Sequence, residues 1–158
     1  ANITISHIYI RNCHYGISIG NDTRITQLFA WSVMIALQMR GSISSATQIR
    51  GDSIGKHLVE ITTTESYGGS ITGVILSDLD ADYCVGSIIH LGSDDVFESV
   101  VGLYINGVRG RACVYTAFDS TLQEDYDIST LTEDLVEYVG FLSISAKERV
   151  YDLSLIHI

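Results

Sequence analysis

The sequence predicts an all-β chain: a solenoid of stacked parallel strands, or parallel β-helix, of about five to six rungs cut from a longer helix. Three observations carry that reading. First, ITGVILSDLDADYCVG (71–86) recurs 29 positions later as VVGLYINGVRGRACVY (100–115), with Gly73 falling on Gly102, Val74 on Leu103, Leu79 on Val108 and Cys84 on Cys113. Second, apolar residues alternate within each copy, which places one set of side chains inside and the other outside. Third, the rung starts Ile3, Ile25, Ile49, Ile71 and Val100 are spaced 22, 24, 22 and 29, a basic turn of 22 to 24 residues with insertions at some corners. A globular α/β chain would need helical crossovers between its parallel strands, and no ten-residue segment has a helical pattern.

The first rung carries Ile3, Ile5, Ile8, Ile10, Ile17 and Ile19, with corners expected at Asn12 and Gly16. Its Ile8-Tyr9-Ile10 aligns with Leu103-Tyr104-Ile105. The second rung contains the most apolar run, LFAWSVMIAL (28–37). Strand alternation forbids Phe29, Trp31 and Val33 from being interior together with Leu28, Ala30 and Ser32. One set is therefore expected at the surface of the isolated chain and covered in a homotrimer. Residues 41–56 are polar and rich in Ser and Gly, and are expected as loop with weak strand. Residues 58–64 (LVEITTT) are strand-like, and 66–69 form a turn into the paired rungs.

Beyond Phe118 the pattern lapses. Residues 119–137 hold seven of the chain's 19 carboxylates and are expected as an acidic inserted loop. Val139-Gly140-Phe141 then aligns with Val101-Gly102-Leu103 at an offset of 38, about 16 residues more than a basic turn. Residues 1–152 are thus expected to form one β-helix fragment. The final LSLIHI (153–158) matches the translation of a sequencing-adapter end and is set aside as non-native, its alternative being an apolar strand that continues the last rung.

Composition narrows the function. The 158 residues are 46% hydrophobic with no Pro and 14 Gly, which suits short strands with tight corners. A net charge of −10 and a pI near 4.6 argue against nucleic acid as the main partner. No run of 18 apolar residues provides a membrane span, the best candidate (28–39) being too short. The chain begins with Ala and shows no leader, so a secretion signal would lie upstream.

Two groups of residues bear on chemistry. Asp78, Asp80 and Asp82 alternate with apolar residues, so a strand would point all three outward with neighbours roughly 6.6 Å apart, a spacing compatible with a carboxylate pair in glycoside hydrolysis. The 29-residue offset places Arg109 on Asp80 and Arg111 on Asp82, and the offset of 38 adds Lys147 and Arg149 to the same columns. Such columns are either a register clamp of exposed ion pairs, worth about 0–1 kcal/mol each, or a cationic patch for an acidic polysaccharide. Asp94-Asp95 reads as turn chemistry. His7, His14, His57, His90 and His157 show no metal-ligand spacing. Neither a phosphate loop nor a nucleophile elbow is present. Cys84 and Cys113 share a column, but their parallel Cβ vectors oppose a disulfide, and the three cysteines are expected as free thiols.

The stretches NITISHIYIRNCHYGISIG, SITGVILSDLDADYCVGSIIHLG and SVVGLYINGVRGRACVY resemble the rungs of right-handed parallel β-helix proteins of the pectin-lyase-like superfamily. The resemblance covers nearly all of the chain before residue 153. It implies recognition or cleavage of polysaccharides along the outer face; the residues themselves point to no cofactor and no metal. His14 to Gly20 is similar to the polygalacturonase His-Gly-x-Ser-Ile-Gly stretch, whose His is catalytic, but Tyr15 interrupts it and the paired Asp motif would precede residue 1. The rung insertions and the apolar run resemble phage tailspike or appendage bodies. That branch implies a homotrimer, extracellular or on the virion surface, binding a surface glycan through Arg109, Arg111, Lys147 and Arg149. The alternative is a secreted polysaccharide-degrading enzyme, hydrolase or lyase, using Asp78, Asp80 and Asp82.

Overall fold

The computed structural model describes residues 2–62, 70–91, 99–111, 142–144 and 149–156. Among them every regular element is a β-strand: β1 (Ile3–Ile19), β2 (Thr23–Met39), β3 (Ser45–Ile61), β4 (Ser70–Cys84), β5 (Ile89–Leu91), β6 (Ser99–Arg111), β7 (Leu142–Ile144) and β8 (Arg149–Ile156). All pairings are parallel. The main path runs β1-β2-β3-β4-β6-β8, with β5 joining β3 to β7.

The long strands are not straight. Residues with positive φ recur every five positions: Asp22, Gln27 and Ser32, then Ile43, Gln48 and Ser53, then Gly73, Asp78 and Tyr83, then Gly102 and Gly107. Each is a corner in the left-handed region, which Gly enters without strain and short polar residues enter more readily than most. The corners stack. His7, Gln27, Gln48, Asp78 and Gly107 form one column, and Asp22, Ile43, Gly73 and Gly102 another. A corner also resets the alternation of side chains. Leu28 and Ala30 point in, Phe29 and Trp31 point out, and Val33 points in again after the corner at Ser32. One prediction is thereby refined: Phe29 and Trp31 are the exposed pair, and Val33 does not go with them.

The inward positions make one continuous core through Ile25, Leu28, Ile49, Ile54, Ile71, Leu76, Leu79, Leu103 and Ile105, all essentially inaccessible. Burying each such side chain stabilises the fold by about 1.5–3 kcal/mol. Residues 45–56, expected as loop, belong to β3. Ala46, Ile49 and Ile54 are its inward positions, and the polar residues between them merely face out.

Several registers differ from the sequence alignment. Successive strands are offset by 20 (Ile3 to Thr23), 21 (Arg24 to Ser45), 30 (Ser45 to Ile75) and 29 (Ser70 to Ser99), of which only the last was anticipated. Ile8 stacks in the column of Leu28, Ile49, Leu79 and Val108, one five-residue side away from the expected Leu103. Val101 pairs with Tyr151 and Leu103 with Leu153, an offset of 50 instead of 38. The strand β8 runs through residues 153–156, which the sequence reading had set aside. The acidic stretch 119–137, the alignment of 139–141 and the pair Cys84/Cys113 involve positions outside the described residues. Cys13 is a free thiol, and Cys84 Sγ lies 3.7 Å from the Lys56 carbonyl oxygen and 3.6 Å from that of Ser87.

A charged and aromatic outer face as candidate functional site

The side between the corners at Gln27 and Ser32 organises the candidate site. Its two inward columns are core, so its two outward columns form a flat exposed face. The register stacks Tyr9, Phe29, Arg50, Asp80 and Arg109 in the first column. The second runs Arg11, Trp31, Asp52, Asp82 and Arg111. Tyr9, Phe29 and Trp31 thus share the β1–β2 end with Arg11, and charged residues occupy the β3–β6 end.

At the aromatic end Tyr9 and Phe29 stack with ring centroids 5.3 Å apart and planes 9° from parallel. Such a pair contributes about 0.5–1.5 kcal/mol beyond the area it buries. Phe29 and Trp31 nevertheless remain 38% and 42% exposed. At the charged end the Arg109 guanidinium lies 3.8 Å from Asp80 Oδ2, with both side chains well solvated. That confirms the Asp80/Arg109 contact expected from the 29-residue offset. Arg111 is in register with Asp82 along the backbone. Asp52, whose Oδ1 accepts from Ser53 Oγ at 2.9 Å, is in register with Asp82 on its other side.

Two expected members fall elsewhere. Arg149 is in register with Ser99, not with Arg111, because β8 follows β6 at the longer offset. Lys147 lies outside the described residues. Asp78 does not share the face with Asp80 and Asp82: it is a corner residue (φ 52°), and its carboxylate lies over Gly107, where a Cβ would stand 3.2 Å from Asp78 Oδ1. A side chain at Gly107, itself at φ +69°, would crowd that carboxylate.

Sequence reasoning missed Tyr9, Arg11, Arg50 and Asp52. Counting from the corners at His7 and Gln48 would have found them, since on this side the outward residues stand two and four positions after the left-handed residue. A cleft of about 430 Å³ opens beside this face, lined by Gln27, Leu28, Phe29, Gln48 and Arg50.

A second polar cluster, also missed, is buried. His57 and His90 stack with ring centroids 4.3 Å apart and planes 6° from parallel. His57 Nδ1 faces three atoms of Ser87: the amide nitrogen at 3.3 Å, Oγ at 3.0 Å and the carbonyl oxygen at 3.3 Å, the last accepting when Nδ1 carries a proton. Nε2 has no hydrogen-bond partner among the described residues. Burial pushes the His57 pKa well below its ordinary value, helped by the neighbouring His90 and Lys56 charges and opposed by the Ser87 backbone hydrogen bond. A hydrolytic Ser–His pair needs an exposed Ser and an acid orienting the far ring nitrogen. Ser87 is 1% exposed and the far nitrogen is unpartnered, so the cluster is a packing element. Nearby, Gln38 Nε2 donates to the buried Glu60 carboxylate at 2.6 Å. Among the described residues no group of three His, Cys, Asp or Glu side chains converges on a metal position.

Comparison of the chain with protein-family models, curated proteins and solved structures finds no match.

Proposed function

We propose that the chain is a polysaccharide-binding body built as a right-handed parallel β-helix, of the kind found in phage tailspike or appendage proteins. The solenoid reading is supported by the core. A single parallel sheet buries a continuous apolar interior with no second layer described against it, which follows naturally if the strands wrap around themselves at stacked corners. The binding reading is carried by one observation: Tyr9, Phe29 and Trp31 are exposed on the same outer face as Arg50, Asp80 and Arg109. Flat rings that accept the apolar face of a sugar, beside fixed charges that accept its hydroxyls, suit an extended glycan. The test is cosedimentation with insoluble polysaccharides. Replacing Phe29 and Trp31 by Ala should abolish binding without unfolding the chain, and unchanged binding would end the reading.

The homotrimer is a separate proposal. The carboxylates of Asp52, Asp80 and Asp82 on this face do not suit the centre of a protein interface, which is depleted in Asp. A trimer would therefore use another side of the coil, and sedimentation velocity decides whether it forms. One observation favours an enzyme as the second reading. Asp52 and Asp82 occupy neighbouring strands, whose backbones lie roughly 4.8 Å apart. Retaining glycoside hydrolases hold their two carboxyl groups about 5–5.5 Å apart. Release of reducing ends from a polysaccharide, lost in Asp82→Asn, would establish that reading.

A further inference from the structure

We infer that the cleft beside Phe29 is a subsite for an anionic sugar unit, a pyranose bearing a carboxylate, with Arg50 as the residue that selects for the charge. The inference rests on the glycan-binding reading and goes beyond it by naming the chemistry of one unit. The cleft holds about 430 Å³ and combines an aromatic wall, Phe29, with two amides, Gln27 and Gln48, and one cation, Arg50. The amides are placed by the fold: Gln27 and Gln48 are successive members of one corner column, so both project at the same edge of the face.

Charge distinguishes this cleft from the rest of the face. Arg50 is in register with Asp80, and a carboxylate there could have neutralised it. Asp80 instead reaches the other way, to the guanidinium of Arg109 at 3.8 Å. Asp78, the corner residue that follows Gln48 in its column, likewise extends over Gly107. Both carboxylates therefore lean toward β6 and leave Arg50 without an ion pair among the described residues. A guanidinium presents paired donors that match a carboxylate and bind it in two parallel hydrogen bonds. Another cleft among the described residues, lined by Asp22 and Arg24 among others, contains its own carboxylate and lacks this character.

The ligand chemistry follows from these groups. The ring stacks on Phe29, its hydroxyls bond to the Gln27 and Gln48 amides, and its carboxylate pairs with Arg50. A neutral sugar would use the first two contacts and leave the guanidinium to water. The experiment is an array that pairs each uronate oligosaccharide with its carboxyl-reduced, neutral counterpart, probed with the full chain and with Arg50→Gln. The expected result is at least tenfold preference for uronate members, falling in Arg50→Gln to parity while binding to the reduced members is retained. Equal binding of the paired members by the full chain, or a preference that survives Arg50→Gln, overturns the inference and leaves the glycan-binding reading intact. Absence of binding to any member overturns both.

Discussion

The Arg109 guanidinium stands 3.8 Å from the Asp80 carboxylate, one strand across and 29 residues away in sequence. The contact is solvated on both sides, so its Coulombic gain is screened, and an exposed pair of this kind is worth about 0–1 kcal/mol. Arg109→Ala and Asp80→Ala should each lower stability by no more than about 1 kcal/mol, and the double variant should show coupling below that value. Urea denaturation measures it. A loss several times larger would mean that the pair carries more of the fold than its exposure allows.

The corners supply a sharper stability test. Ile43 is 70% exposed and sits at φ 56°, a conformation that β-branched residues resist, in a column that Gly73 and Gly102 continue. Left-handed backbone costs an L-residue about 1–2 kcal/mol, part of which Gly returns through its larger freedom in the unfolded chain. Ile43→Gly should therefore stabilise by up to about 1 kcal/mol, an unusual sign for a glycine substitution within a β-rich segment. Ile49→Ala, two sides along the same coil but fully buried, should cost about 2–5 kcal/mol. Thermal melts of the two variants moving in the same direction would contradict the assigned corners.

The same periodicity explains what was and was not legible in the sequence. The repeat at 29 is long, nearly gapless and correct: Val74 stacks with Leu103, Leu79 with Val108 and Asp80 with Arg109. The alignment of Ile8 failed because corners recur every five residues, and sliding one strand past another by five preserves most inward and outward positions. Ile8 was accordingly matched to Leu103, when its column ends at Val108. The offset of 38 failed differently: it falls 12 short of the observed 50, no multiple of five, and Arg149 pairs with Ser99 instead of Arg111. Residues 45–56 resemble loop in composition because few of their positions, Ala46, Ile49, Gly51 and Ile54 among them, must be small or apolar. The contact of His57 with His90 was illegible, since the two residues are 33 apart, three more than the strand register, and meet through side-chain stacking.

That histidine pair predicts a pH dependence. Burial holds the His57 pKa well below the ordinary 6.5. Below that value the unfolded chain binds a proton that the folded chain refuses, so the unfolded state is favoured as pH falls. The contribution of His57 should be constant above about pH 7 and decline from about pH 6.5 down to its folded pKa. His57→Leu should flatten that part of the stability profile whatever its absolute stability. An identical slope in wild type and variant would show that His57 is not buried neutral.

The central claim, that the face bearing Phe29 and Trp31 binds a polysaccharide, can be read from one chromophore. Trp31 is the only Trp in the chain, lies in the middle of the proposed binding face and is 42% exposed. A sugar ring laid against it removes water from the indole. Fluorescence titration with an oligosaccharide that the chain binds should therefore give a saturable blue shift of the emission, abolished in Phe29→Ala. An emission spectrum unchanged at saturating ligand would place binding elsewhere on the coil and contradict the assignment of this face.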